Sequence, residues 1–224
     1  MATHLDLEEQ EQLDALKHFW NRWGNLITWV LIAVLGAYAA WNGWQYWERR
    51  QGALAAALYD EVDRAAEAGD LARVERALAD MRERYGGTTY AAHAGLRGAK
   101  LLYEKDKPAE AKAALAWVAD KASDDGLRAV ARLRLASLQL GEKAYDEAFK
   151  TLGGSFPAQY VALAADRRGD VLLLQGKREQ AAAEFGKAYQ GLTADRGEYR
   201  RLVGMKLNAL GIDPDAGAKT GGAS

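Results

Sequence analysis

The 224-residue sequence contains no cysteine, only three prolines and only three histidines. Without cysteine, the chain forms no disulfide and offers no thiolate to a substrate or a metal. His4, His18 and His93 lack the spacing of a metal site, and the sequence has no GxxxxGK[ST], GxSxG or HExxH motif. These absences predict a protein that is not an enzyme and that needs neither a metal nor a cofactor.

The sequence also lacks an excess of charge of either sign. It has 30 basic and 31 acidic residues, which gives a formal net charge of −1. Proteins that bind nucleic acid do so largely through an excess of lysine and arginine on one surface. This balance argues against nucleic acid as a partner. The scarcity of proline, the abundance of alanine and the absence of sustained strand alternation predict an all-α fold.

One stretch, Trp23–Trp47, has no charged residue at all. As a helix, the part from Trp23 to Trp44 would span about 31 Å, the thickness of a bilayer core. Six of the seven tryptophans lie in Trp20–Trp47, most of them near its two ends, as in the aromatic belts of membrane helices. A cleaved signal peptide is the alternative, but the preceding segment is long and acidic rather than short and basic. We therefore predict a transmembrane helix at residues 23–47 and contact with a lipid bilayer.

Three features of this region allow more than one interpretation. Lys17 and Arg22 precede the span and Arg49 and Arg50 follow it, so the positive charges do not give its orientation. Residues 1–22 are either a short amphipathic helix or a frayed tail. Small residues at helical spacing could be ordinary membrane-helix composition or a docking face for another membrane helix. This stripe consists of Ala33, Gly36, Ala37 and Ala40.

After the span, short breaks of Gly, Asp, Lys or Pro divide the chain into segments that favour helix. The predicted helices are Ala53–Ala68, Leu71–Tyr85, Tyr90–Lys105, Ala109–Ala122, Leu127–Leu140, Tyr145–Leu152, Pro157–Gln175, Arg178–Gln190 and a last, capping helix, Glu198–Leu210.

The segment Gly169–Ala188 resembles a tetratricopeptide repeat (TPR), a hairpin of two helices. Gly169 takes the small position of the first helix, Gly176 takes the turn, and Phe185 fills the space between the two helices. The same phase returns upstream, where positions equivalent to Ala181 recur 37, 37 and 33 residues apart, against a TPR period of about 34. Those positions are Val74, Ala111, Ala148 and Ala181. We predict one transmembrane helix followed by a TPR-like α-solenoid of helix hairpins.

Taken in order, these parts resemble the YfgM-like ancillary subunits of the bacterial SecYEG translocon. The resemblance rests on EEQEQLDALKHFWNRWGN before the span, NGWQYWERRQ after it and RLVGMKLNALG near the end. It implies a cytoplasmic segment 1–22, an inner-membrane helix 23–47 and a periplasmic repeat domain 48–210. The polar, glycine-rich composition of residues 211–224 separately predicts a disordered tail. The resemblance also implies three kinds of partner, the Sec translocon, a membrane-anchored periplasmic chaperone and exported client proteins, whose folding the protein would assist without catalysis. A scaffold for cell-envelope or division complexes, without client binding, is the alternative.

In a TPR domain, the first helix of each repeat lines a concave groove. The phase of this chain then implies that the partner-binding groove is lined by His93, Leu96, Lys100 and Tyr103, by Val130, Leu133, Ser137 and Leu140, and by Leu163, Asp166, Asp170 and Leu173. Such a mixed apolar and polar lining suits an extended segment or a partner's helix. We expect charge reversal at Asp166 and Asp170 to weaken partner capture and to leave folding intact.

Overall fold

The computed structural model describes residues 7–192 and 197–214, with side chains from residue 12 onward. Within these ranges the only regular secondary structure is helical, which confirms the predicted all-α class. The helices are α1 (Leu7–Glu67), α2 (Leu71–Tyr85), α3 (Thr89–Glu104), α4 (Pro108–Lys121), α5 (Asp125–Gly141), α6 (Tyr145–Thr151), α7 (Ala158–Leu174), α8 (Arg178–Gly191) and α9 (Gly197–Ala209). The predicted repeat helices agree with these bounds to within two residues, apart from the start of the first.

The chain divides into two compact units at the Gln51–Gly52 bond. The first unit holds the N-terminal part of α1, which is helical from Leu7 and so follows the helical alternative for residues 7–22. No break separates the predicted span from the predicted helix at Ala53, because the intervening sequence contains neither a proline nor a residue with positive φ. Residues 1–6 and 215–224, with most of the predicted tail, lie outside the described residues.

Among the described helices, α1 is the one that is long and apolar enough to cross a membrane. Only 6% of its most apolar 18-residue window is buried, which is the opposite of what a core helix of a soluble protein would show. The belt residues Trp20, Trp23, Trp41 and Trp44 are all exposed. Length, composition and exposure together agree with the predicted N-terminal membrane helix.

The second unit consists of helix hairpins whose core lies between paired helices. The last part of α1 shares a buried core with α2. Helix α3 pairs with α4, α5 with α6 and α7 with α8. The four equivalent positions predicted from the repeat, Val74, Ala111, Ala148 and Ala181, are all fully buried. A side-chain Cβ built at Gly169 would lie 2.5 Å from the Phe185 ring, so glycine is required for this close approach. The predicted TPR-like packing is therefore present.

Each hairpin turn contains one residue with positive φ at the same place in the repeat. These residues are Gly69, Asp106, Lys143 and Gly176, with φ of 67°, 60°, 63° and 79°. At Gly176, the amide of the next residue donates to the carbonyl of Leu172 (2.9 Å), and the other three turns have the matching bond. The amide of the positive-φ residue itself donates to the carbonyl three residues earlier, as from Gly176 to Leu173 (3.0 Å). These two hydrogen bonds form the left-handed C-cap that ends each first helix and reverses the chain.

Helix α9 ends in the same way. Gly211 has a φ of 86°, and the amide of Ile212 donates to the carbonyl of Leu207 (3.1 Å). Counting back from this turn places the buried Gly204 at the position that Gly169 holds in α7. Helix α9 thus carries the register of a fifth first helix, in addition to covering the end of the core through Val203 and Leu207.

Candidate protein-binding groove

The first helices of successive repeats lie side by side, with α3 next to α5 and α5 next to α7. Their residues at equivalent places can therefore be compared directly, counting from the positive-φ residue of each turn. The predicted groove residues occupy four such places in each helix. They differ in exposure, and six of the twelve fall in two separate clusters, four in the first and two in the second.

The first cluster surrounds a cavity of about 290 Å³ between α3 and α5. The cavity brings together four of the predicted groove residues, Leu96, Lys100, Tyr103 and Ser137. Its remaining lining, which the sequence did not single out, is Ala99, Glu104, Leu115, Arg134 and Leu138. The walls are mainly apolar, and Tyr103, which lines the cavity, is 54% exposed. The Lys100 ammonium pairs with Glu104 at 3.7 Å.

The other predicted residues of α3 and α5 do not line this cavity. His93 is exposed on α3, and Leu133 is half-buried against the core that contains Ala148 and Leu152. Val130 and Leu140 are also half-buried against core residues, as is Leu173 of α7, whereas Leu163 is half-buried without a place in these clusters. Most of these side chains therefore serve packing.

The second cluster lies between α7 and α9 and corrects the expectation for Asp166. The Asp166 side chain is only 1% exposed. Its carboxylate accepts hydrogen bonds from the Tyr199 hydroxyl (2.5 Å) and from Lys206 Nζ (2.7 Å). Lys206 Nζ also donates to Asp170 (2.7 Å), which is 20% exposed. Asp166 is thus not an open groove residue, and reversal of its charge would destabilise the fold rather than leave it intact.

Burial and the bond to Asp166 raise the pKa of the Tyr199 hydroxyl well above its usual value, so this group stays a hydrogen-bond donor. The sequence did carry a signal for this cluster. At the place of Tyr199, the three preceding first helices have alanine, namely Ala94, Ala131 and Ala164. At the place of Lys206 they have Leu101, Leu138 and Val171. Where α3, α5 and α7 have these small or apolar residues, α9 has two long polar side chains, and both reach α7.

A third polar cluster is structural. The Arg132 guanidinium donates to the carbonyl oxygens of Thr151, Gly153 and Ser155 and stacks 3.9 Å from the centroid of the Phe156 ring. Burial, and then the nearby Arg168 cation, lower the pKa of Arg132. Its donors are occupied by the chain that leaves the short helix α6, so Arg132 holds this connection in place.

In the membrane segment, the small-residue stripe is accessible. Ala33, Gly36, Ala37 and Ala40 are all exposed in the first unit. A Cβ built at Gly36 would contact nothing within 4 Å. The stripe is therefore free to be covered by lipid or by another helix.

Comparison with known proteins places this arrangement in a family. The tetratricopeptide repeat-like domain family matches residues 17–212. A curated protein of Neisseria gonorrhoeae is 30% identical over 211 residues, covering 94% of this chain and all of that protein. A protein of Escherichia coli is 30% identical over 211 residues, covering 91% and 97%, and one of Haemophilus influenzae is 28% identical over 204 residues, covering 91% and 98%. No solved structure matches the chain.

An N-terminal helix of membrane type followed by repeat hairpins defines a TPR-like repeat protein, and this chain belongs to that family. The three relatives each carry the name "Ancillary SecYEG translocon subunit". Near-complete coverage of both chains means that the resemblance includes the membrane helix as well as the repeats. The chain is accordingly a member of the YfgM-like family of ancillary SecYEG translocon subunits, as its flanking segments had indicated.

Proposed function

We propose that this protein is a single-pass inner-membrane subunit associated with the Sec translocon, with a cytoplasmic N-terminus and a periplasmic repeat domain. It binds exported polypeptides and a membrane-anchored periplasmic chaperone, and it assists folding by binding alone. The observation that supports this most strongly is the end-to-end match to relatives named as translocon subunits, in a chain that joins an exposed apolar helix to a repeat groove.

The physical features fit this role. The exposed segment Trp23–Trp47 is long enough to hold the protein beside a membrane channel. The repeats present side chains from several helices along one surface, an arrangement suited to extended segments and partner helices. In our proposal the domains are therefore 1–22 (cytoplasmic), 23–47 (membrane) and 48–210 (binding).

Protease protection in spheroplasts tests the topology. A different epitope is placed at each end of the chain, and protease is added from outside. We expect loss of the C-terminal epitope and retention of the N-terminal one. Protection of the C-terminal epitope would place the repeats in the cytoplasm and refute the proposed function.

Partner binding is tested by co-purification with SecYEG and by client aggregation. Cysteine placed at Ala37 should crosslink to a translocon helix, whereas cysteine at Leu31, outside the small-residue stripe, serves as the control. Light scattering should show slower aggregation of an unfolded client in the presence of the protein. Crosslinking without any effect on aggregation would favour a purely structural scaffold.

A further inference from the structure

The cavity between α3 and α5 contains a cation without a partner. Arg134 lines the cavity, is exposed, and makes no hydrogen bond or ion pair with any residue that the structure describes. Arginines stand at the equivalent place in the neighbouring first helices, and each of those arginines is paired with a carboxylate.

In α3, the equivalent residue is Arg97. Its Nε donates to the carboxylate of Asp63 in the preceding first helix at 2.8 Å, and this bond raises the pKa of Arg97. The register places Lys100 of α3 where Asp63 stands in α1, each six residues before the turn residue. Arg134 therefore faces the position of a lysine where Arg97 faces a carboxylate.

In α7, the equivalent residue is Arg167, which pairs within its own helix. Its Nη1 donates to Asp170, three residues later, at 3.1 Å. Three residues after Arg134 stands Ser137, whose hydroxyl donates to the carbonyl of Leu133 (3.0 Å). Neither way of neutralising the arginine is present in α5. With Lys100, Arg134 and only Glu104 around it, the cavity carries an excess of one positive charge.

The apolar part of the cavity narrows the choice of ligand. Leu96, Leu115 and Leu138 with the exposed Tyr103 line this open cavity of about 290 Å³. This volume lies just below the range of about 300–1,000 Å³ that holds a small-molecule ligand, and it suits a single large apolar side chain. The cations at the edge favour a carboxylate beside that side chain.

We infer that this cavity binds a segment of an exported polypeptide in which an acidic residue lies next to a large apolar residue. The acidic side chain takes the place at Arg134 and Lys100 that Asp63 takes at Arg97, and the apolar side chain enters between Leu96 and Leu138. The inference rests on the proposed function, since it names the kind of client segment that the groove accepts.

The test uses the full chain in lipid nanodiscs and three fluorescein-labelled octapeptides. One has the sequence Gly-Ser-Gly-Glu-Phe-Gly-Ser-Gly, the second has glutamine in place of glutamate, and the third has serine in place of phenylalanine. Fluorescence anisotropy should show that the first binds roughly fivefold or more tightly than either of the others, because it alone satisfies both parts of the cavity.

Two variants locate the site, and a third is the control. Lys100→Asp supplies Arg134 with an internal carboxylate, as Asp63 supplies Arg97, and should abolish the preference for the glutamate peptide. It also removes the pair between Lys100 and Glu104, which is exposed and therefore contributes little to stability. Arg134→Ala should weaken the binding of the glutamate peptide by roughly fivefold. Lys150→Asp, a charge reversal at an exposed site on α6, should leave binding unchanged.

Equal binding of the three peptides, or unchanged binding by Lys100→Asp and Arg134→Ala, would overturn this inference. Co-purification with SecYEG reports on the proposed function separately. A chain that co-purifies with SecYEG but does not distinguish the peptides keeps its proposed function and loses the cavity assignment.

Discussion

The buried carboxylate of Asp166 gives the sharpest test of how the repeat domain ends. Lys206 Nζ bridges Asp166 and Asp170 at 2.7 Å each, and the Lys206 side chain is 23% exposed. Removing one member of a fully buried ion pair costs about 3–5 kcal/mol. Partial exposure and the second carboxylate reduce this, so we expect Asp166→Ala and Lys206→Met each to destabilise the packing of α9 by about 2 kcal/mol.

Hydrogen–deuterium exchange of the full chain measures this locally. A loss of about 2 kcal/mol corresponds to roughly 30-fold faster exchange in α9, with no change in α3. The double variant should lower stability little more than Asp166→Ala alone, because Asp166→Ala already removes the Asp166–Lys206 ion pair together with the hydrogen bond from Tyr199. Asp170→Ala is the control and should lower the stability of α9 by less than about 1 kcal/mol, since Lys206 still pairs with Asp166. If each single variant lowers the stability of α9 by less than about 0.5 kcal/mol, and the two losses add in the double variant, Asp166 is not the buried attachment point of α9.

Three further predictions concern stability, measured by thermal unfolding of the solubilised chain. Lys143 and Gly176 both have positive φ, which glycine adopts without strain and other residues do not. Lys143→Gly should therefore raise the free energy of unfolding by about 0.5–1 kcal/mol, and Gly176→Ala should lower it by a similar amount. Shifts of the same sign in the two variants would contradict this. Gly169→Ala should lower the free energy of unfolding by about 1–3 kcal/mol, because the added Cβ overlaps the Phe185 ring. A smaller residue in place of Phe185 should restore part of this stability. An unchanged stability of Gly169→Ala would show that the ring moves freely. Glu184 is largely buried, which alone would raise its pKa, but hydrogen bonds from Lys187 and Arg168 lower the pKa below 4.5 overall. Its contribution to stability is therefore complete above about pH 4.5 and is lost as the pH falls through the folded-state pKa; Glu184→Gln should weaken this acid dependence, and an unchanged pH profile would contradict it.

The sequence predicted the repeat domain well because its signals are local. Each hairpin turn is marked by Gly, Asp, Lys or Pro, and each turn is closed by hydrogen bonds between residues three and five apart. The buried small positions follow at a fixed distance from the turn, so one clear unit, Gly169–Ala188, fixes the register of the others. Neither the helix bounds nor the core required knowledge of distant contacts.

The groove was predicted less well because its chemistry depends on distant residues. The TPR phase put Leu96, Lys100, Tyr103 and Ser137 among the predicted groove residues, and the structure brings these four to one cavity; that they bind a partner stays a prediction. The TPR phase could not show that Asp166 is occupied, since the partners Tyr199 and Lys206 lie 33 and 40 residues later in a helix predicted only as a cap. Long side chains bridge helices at distances that a pattern of buried positions does not encode.

The contacts between neighbouring first helices, here called joints, differ along the repeat domain, and the difference indicates where a partner binds. At the first joint, Asp63 neutralises Arg97, and at the last, Asp166 and Asp170 neutralise Lys206. In both places a cation of one first helix is paired with a carboxylate of the neighbouring first helix. Between α3 and α5 the corresponding pair is missing, and an apolar cavity opens beside the unpaired Arg134. Because an exposed cation beside an apolar wall gains most from a ligand that supplies both a carboxylate and an apolar group, the middle of the groove is where selection among bound segments should occur.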